Sequence, residues 1–101
     1  MAKGYWIAHV DVSDPEGYKE YQAANAAAFR TYGARFMVRG GTSKLLEGQL
    51  RSRHVIIEFK DYATALACYN SPEYAFAKEK RRGRSEMDAV VVEGYDGVQP
   101  V

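Results

Sequence analysis

The stretch Arg53-His54-Val55-Ile56-Ile57-Glu58-Phe59-Lys60 decides the fold, because it carries the clearest strand pattern in the chain. Its alternate positions Val55, Ile57 and Phe59 are apolar, whereas most of the positions between them are polar or charged. β-Branched and aromatic residues in this alternation favour a strand with one apolar face and one mixed face. Asp61 follows directly, and its carboxylate can accept the free N–H groups of a helix that starts there. The stretch therefore predicts a sheet with helices on one side and a lined cavity or an interface on the other.

The remaining segments are assigned from the same kinds of pattern. Gly4 to Val12 alternates like the Arg53 strand, and Asp14-Pro15 is typical of a helix start, as is a capping box formed by Ser13 and Glu16. Gly40-Gly41 predicts a bend where the second strand leaves the sheet. The predicted strands lie at 4–12, 34–39, 42–47, 53–60 and 86–93, and the predicted helices at 14–32, 61–70 and 72–82. Residues 1–94 are predicted to form a single domain and residues 95–101 a C-terminal tail.

This element order predicts an α+β fold, the ferredoxin-like βαββαβ sandwich with an antiparallel sheet and helices on one face. In that topology the first strand and the Arg53 strand lie side by side at the centre of the sheet. Their mixed faces then point away from the helices and expose Ile7, Ile56 and Val91. An apolar face of this kind is a liability for a monomer, and a second copy of the chain would cover it.

Composition and charge exclude several classes of protein. The chain has 101 residues, 47% of them hydrophobic, and a net charge of +1, so nothing favours nucleic acid as a partner. Cys68 is the only cysteine, which rules out an internal disulfide or a thiolate metal cluster. No long apolar run indicates a signal peptide or a membrane span. We expect a cytoplasmic protein with no cofactor, no nucleic-acid partner and no membrane partner.

Six short motifs recur together in one known family. They are Gly4-Tyr5-Trp6, Asp14-Pro15-Glu16-Gly17-Tyr18, Arg39-Gly40-Gly41, Val55-Ile56-Ile57-Glu58-Phe59, Tyr69-Asn70-Ser71-Pro72-Glu73-Tyr74 and Val92-Glu93-Gly94. In order and spacing they resemble the family called domain of unknown function thirteen-thirty. That family belongs to the dimeric α/β-barrel superfamily, with small cofactor-independent monooxygenases and muconolactone isomerases. The resemblance implies a homodimer in which two sheets close a barrel, and it implies no particular activity.

Polar residues on the mixed strand faces are the candidates for chemistry. By strand parity one side of the sheet carries His9, Asp11, Arg35, Arg39, His54, Glu58 and Glu93. His9 and Glu58 on neighbouring strands can form an imidazole–carboxylate pair that acts as a general base. Arg39 can hold a carboxylate or enolate of a ligand by a two-pronged contact. The alternative is an internal network of ion pairs and hydrogen bonds that fixes the register of a dimer.

Other side chains give weaker signals. His54 is predicted to lie with His9, Arg39 and Glu58 in a cavity on the side of the sheet away from the helices. Tyr21 and Asn25 of the first helix are predicted to lie at the edge of a pocket, although the stripe to which they belong is more typical of a core. The two histidines lack the spacing of a metal site, so no metal is predicted. Cys68 is predicted to pack rather than react, because no basic neighbour would lower its pKa.

Two functions remain open from the sequence. The leading interpretation is a small homodimeric barrel that binds a small organic molecule, including an enzyme of the monooxygenase or isomerase kind without a bound cofactor. The other is a non-catalytic ligand-binding or structural dimer. An enzyme needs a titratable group that is free of a permanent partner, so the partners of His9, Glu58 and Arg39 distinguish the two.

Overall fold

A computed structural model describes all residues from 1 to 101 and contains four strands and three helices. In chain order they are β1 (Gly4–Val12), α1 (Pro15–Thr31), β2 (Arg35–Arg39), β3 (Arg53–Phe59), α2 (Tyr62–Tyr69), α3 (Pro72–Lys80) and β4 (Ser85–Glu93). The predicted ferredoxin-like arrangement is confirmed, with the second helical region divided into α2 and α3. None of the helices combines the length and the apolar character that a membrane crossing requires.

The four strands form one antiparallel sheet in the order β2-β3-β1-β4. β1 and β3 are therefore the central strands, as predicted. Trp6 lies opposite Ile57 and His9 lies opposite His54. Because side chains alternate along a strand, these two rows point to opposite faces of the sheet. We call the two faces the helix face and the open face.

Each helix begins at a side-chain cap. Asp14 accepts a hydrogen bond from the Gly17 N–H at 3.1 Å, and Asp61 accepts one from the Thr64 N–H at 2.7 Å. Ser71 accepts one from the Tyr74 N–H at 3.1 Å, with Pro72 in the first turn of α3. α2 packs on β1, β3 and β4, whereas α1 packs chiefly on α3. α1 therefore lies farther from the sheet than α2 does, and side chains from both line the space between them.

A β-bulge in β2 moves Arg39 to the side opposite the predicted one. Phe36 pairs with Ile57, but Val38 pairs with Ile56, so Met37 is an extra residue in the strand. The extra residue inverts the alternation from that point on. Arg39 now pairs with Val55 on the helix face, and Val38 lies on the open face. The prediction that Arg39 shares the open face with the histidines is wrong for this reason.

Two further expectations also differ from the structure. Val91 pairs with Trp6 and faces the helices, so the apolar residues that β4 shows on the open face are Val90 and Val92, not Val91. The sequence did not show which residues of β4 face the helices, because the run Ala89-Val90-Val91-Val92 contains no polar residue. Residues 41–52 form an exposed connection without regular structure, so no strand exists at 42–47.

Candidate functional site

A cavity of about 240 Å³ lies between the helix face of the sheet and α1. Most of its wall is aromatic or aliphatic, and the polar side chains are few. Its wall consists of Trp6, Ala8, Tyr18, Tyr21, Gln22, Asn25, Phe29, Phe36, Arg39, Arg53, Val55, Ile57, Tyr69, Tyr74, Met87, Ala89, Val90 and Val91. A concave apolar site with a few fixed polar groups is the usual form of a small-molecule site.

Two hydrogen bonds hold the aromatic wall in place. Trp6 donates from Nε1 to the Ala65 carbonyl at 2.7 Å, which fixes the indole under α2. The hydroxyl oxygens of Tyr21 and Tyr74 are 2.7 Å apart, so one hydroxyl donates to the other. Burial, together with the neighbouring Tyr74 hydroxyl, raises the pKa of Tyr21 well above its ordinary value. Tyr21 therefore stays protonated at neutral pH and serves as a hydrogen-bonding group, not as a base.

Asn25 is the most unusual residue of the cavity wall. It lies in the middle of α1 and is only 5% exposed. Its side-chain amide lines the cavity, and none of the side-chain hydrogen bonds of the chain involves it. The amide atoms are not among the fully buried side-chain atoms without a partner, so they keep contact with the cavity space. The open hydrogen-bonding capacity of Asn25 therefore points into the cavity.

Two arginines lie in the wall at the end of the cavity towards the Gly40 turn. The guanidinium carbon of Arg39 is 4.1 Å from the centre of the Phe36 ring. Arg53 lies beside Tyr18, where burial raises the pKa of the tyrosine and the charge of Arg53 partly opposes that rise. A shallower groove begins at the same place and shares Tyr18, Gln22 and Arg53 with the cavity. The positive end of the cavity thus adjoins solvent.

The open face carries the predicted acid–base residues, but it does not bring them together as predicted. Nδ1 of His9 is 2.9 Å from Nδ1 of His54, and the Tyr5 hydroxyl donates to Glu58 at 3.2 Å. The predicted pair of His9 and Glu58 is therefore not formed. The cause is the register, which places His9 opposite His54 and Tyr5 opposite Glu58, four residues apart along the strand.

A cluster of ion pairs lies at one end of the open face, next to His9 and His54. Arg51 lies within 3.1 Å of Asp11 and 3.2 Å of Asp88, and 3.7 Å from Glu86. All three carboxylates are thus paired with one guanidinium. No group of three histidine, cysteine or acidic side chains is placed to hold a metal ion. This end of the face carries structural charge pairs.

The predicted site residues divide between the two faces. Tyr21, Asn25 and Arg39 line the cavity, while His9, His54 and Glu58 lie on the open face. The sequence reasoning missed Trp6, Tyr74 and Arg53 as cavity residues. Arg53 shares its strand parity with Val55 and Ile57, and that signal places it on the helix face. The contribution of Tyr74 had no comparable signal, because it depends on the packing of α3 against α1.

Comparison with known proteins gives a family and a fold. The model of the family described as Domain of unknown function (DUF1330) matches residues 3–95. No curated protein matches the chain. A protein of unknown function from Rhodopseudomonas palustris is similar with a TM-score of 0.72 and 17% identity, over 98% of this chain and 85% of that chain.

Two other solved structures have the same fold. SnoaB, a cofactor-independent oxygenase from Streptomyces nogalater, has a TM-score of 0.61 and 13% identity, over 100% of this chain and 98% of that chain. A dimeric protein of unknown function with a ferredoxin-like fold, from Bacteroides fragilis, has a TM-score of 0.60 and 13% identity, over 90% of this chain and 95% of that chain. At these identities the similarity concerns the fold alone.

Proposed function

Because the chain belongs to the DUF1330 family, as its sequence motifs predicted, and that family is described only as of unknown function, we propose a function from the cavity: the protein binds a small organic molecule between its sheet and α1. The observation that carries the proposal is Asn25, a residue only 5% exposed whose amide makes no hydrogen bond in the chain and lines a mostly apolar cavity. A ligand oxygen would complete that hydrogen bond. Aromatic walls then supply the contact area, and the amide sets the orientation.

The shape and chemistry of the wall favour a planar ring with one hydroxyl or carbonyl group. Trp6, Phe29 and Phe36 present ring faces and edges, which pack well against another ring. The Tyr21–Tyr74 pair retains one spare hydroxyl proton, since only one of its two protons is used between them. A cavity of about 240 Å³ accommodates a ligand of one or two rings.

A catalytic role is the second candidate, and the shared fold with SnoaB, a cofactor-independent oxygenase, favours it. Monooxygenase- or isomerase-like chemistry at a carbonyl or phenol passes through an oxyanion, which the Asn25 amide and the tyrosine hydroxyls can stabilise by hydrogen bonds. The cavity wall contains no histidine and no carboxylate. His9 and Glu58 do not touch a ligand in this cavity, because both lie on the other face of the sheet.

The proposal includes a homodimer that closes through the open face. In the single chain, Val38, Ile56, Ile7 and Val90 form one row across the four strands, and Val90 is 53% exposed. A second copy of the same face would cover this row, since apolar patches of this kind favour association. The dimeric ferredoxin-like protein from Bacteroides fragilis supports this arrangement at the level of the fold.

Calorimetric titration with 1-naphthol and with naphthalene tests the binding function. The two probes have the same rings, and only 1-naphthol can complete the hydrogen bond of Asn25. We expect 1-naphthol to bind roughly two- to tenfold more tightly, the range that one hydrogen bond supplies. The proposal fails if neither probe binds. Oxygen uptake by the bound 1-naphthol would support the oxygenase, and binding without uptake would support the non-catalytic ligand-binding protein.

The variant Asn25→Leu separates a ligand-binding amide from a structural one. We expect this variant to lose most of the preference for 1-naphthol and to melt at the same temperature as the parent or higher, because it removes an amide that makes no hydrogen bond in the chain. A lower melting temperature with the preference for 1-naphthol retained would contradict the proposal. Tyr21→Phe should also weaken 1-naphthol binding, whereas Tyr32→Phe is the matched control, since Tyr32 caps the C-terminus of the same helix and lies outside the cavity.

A further inference from the structure

We propose that the ligand is an anion, a ring that carries a carboxylate, and that Arg53, assisted by Arg39, binds this carboxylate at the positive end of the cavity. This inference rests on the proposed binding function and adds the charge and orientation of the ligand. In this arrangement the ring occupies the aromatic part of the cavity near Trp6, and the carboxylate lies where the cavity meets the neighbouring groove.

The first observation concerns the partners of the arginines. Arg51, Arg82 and Arg84 lie 3.1, 2.9 and 2.7 Å from their nearest carboxylate oxygens. Arg39 and Arg53 take part in no ion pair in the chain, although both lie in the cavity wall. Neither the cavity nor the adjoining groove contains an aspartate or glutamate among its wall residues. The positive charge at this end of the cavity is therefore uncompensated.

The second observation concerns the burial of Arg53. Its side-chain Nε atom is buried and makes no hydrogen bond. A buried charged donor without an acceptor is costly, and such groups are normally paired. An anion beside the guanidinium lowers this cost, because it supplies the opposite charge. The terminal nitrogens of Arg53 are not among the buried atoms without a partner, so they are the donors that an anion at the mouth of the cavity can reach.

The third observation concerns shape. A guanidinium presents parallel N–H donors in a plane, which match the two oxygens of a carboxylate. The Phe36 ring supports the Arg39 guanidinium at 4.1 Å and limits its movement. Gly40 is also part of this site, because any side chain there would collide with the Arg53 guanidinium. The turn after β2 therefore keeps space for the arginine that the carboxylate needs.

Titration of 1-naphthoate against 1-naphthol, at low and at high salt, tests the inference. We expect 1-naphthoate to bind at least tenfold more tightly at low salt, and salt to weaken its binding more than that of 1-naphthol. Arg53→Met should weaken 1-naphthoate binding roughly tenfold to a hundredfold and leave 1-naphthol within about twofold. Arg30→Met, which removes an exposed charge on α1 away from the cavity, is the matched control.

The outcomes separate the two proposals. Binding of 1-naphthol with no preference for 1-naphthoate overturns the anion inference and leaves the proposed function intact. Equal losses for both probes in Arg53→Met overturn it too, since the arginine would then act through the shape of the cavity. If neither probe binds the parent protein, the proposed function fails and the anion inference fails with it. If Arg53→Met does not fold, Arg39→Met provides the same comparison, because Arg39 is exposed and its substitution disturbs the fold less. We expect a smaller loss of 1-naphthoate affinity in that variant.

Discussion

Nδ1 of His9 and Nδ1 of His54 lie 2.9 Å apart across the two central strands, on the face of the sheet that the helices leave uncovered. One ring must donate and the other accept, so the bond forms only when one Nδ1 carries a proton and the other does not. Because both rings lie away from the cavity, they bear on the stability of the sheet and, in the proposed dimer, on that of its interface. His9 lies on the face of the sheet that its strand alternation predicts, whereas the cavity of about 240 Å³ lies on the helix face.

His9→Asn should therefore change stability and leave ligand binding unchanged. We expect a loss of about 1 kcal/mol from the lost bond, and an unchanged affinity for 1-naphthol. His54→Asn should have the same effect, and the double variant should lose less than the sum, since the two residues share one bond. Denaturant unfolding and calorimetric titration of the four proteins measure both quantities. A clear loss of 1-naphthol affinity in His9→Asn would place the histidine back in the binding site.

Light scattering at micromolar concentration should give twice the mass of the chain. Val90→Lys should shift the protein towards the monomer, because it puts a charge into the apolar row of the open face. Leu66→Lys is the control, since Leu66 is also exposed, at 39%, but lies on α2 on the other side of the sheet. If the parent protein is a monomer, the proposed dimeric barrel is wrong. If both lysine variants have the same effect on the mass, the open face is not the dimer interface.

Gly40→Val should destabilise the fold, and Gly41→Val should not. Gly40 has a φ of +67° and donates its N–H to the His54 carbonyl at 2.8 Å. A residue with a side chain costs about 1–2 kcal/mol in that conformation, before any collision with Arg53. Gly41 lies beside open space at an ordinary φ, so it controls for the added side chain. Thermal melting measures folding and sedimentation measures association. If both variants have the same melting temperature and mass, the glycine pair is only a loose turn and Gly40 has no special role.

Ser71→Ala should destabilise the protein and Ser85→Ala should not. The Ser71 hydroxyl donates to the Cys68 carbonyl at 2.7 Å and caps α3 through the Tyr74 N–H, whereas the buried Ser85 hydroxyl has no partner. Loss of a serine cap costs about 0.5–2 kcal/mol, while removal of an unpaired hydroxyl is neutral or favourable. Urea unfolding compares the two variants, and equal losses would refute the assigned roles.

Cys68 should resist thiol reagents in the folded protein. Burial raises the pKa of its thiol to about 12, so the reactive thiolate is scarce below pH 9. A disulfide reagent should react slowly at pH 8 with the native protein and rapidly, with one equivalent, in urea. A fast reaction of the native protein would mean that the helix around Cys68 opens readily.

Strand alternation was sufficient to predict β1 and β3 and their shared faces, because each has polar residues at regular positions. It failed at Arg39, because the bulge at Met37 depends on pairing with β3 and leaves no local signature in the sequence. It failed again at Val91, because a run of four apolar residues does not indicate which of them face the helices. The order of the elements predicted the topology without these details.

The candidate site was harder to predict than the fold, because it depends on distances between elements. Tyr21 and Asn25 were predicted from the stripe on α1, and both line the cavity. The association of Arg53 with Arg39 requires the bulge and the turn at Gly40, which appear only when the strands are paired. The His9–Glu58 pair was wrong because parity assigns a face but not the position along it.

Trp6 is the only tryptophan of the chain, and its indole forms part of the cavity wall while Nε1 is bound to the Ala65 carbonyl. Light absorbed near 295 nm therefore excites one ring at one known place. Its emission reports the surroundings of that cavity without any attached label, and a compound that enters beside it alters the signal directly. The protein thus contains its own optical sensor, so a library of candidate ligands can be screened on the unmodified chain.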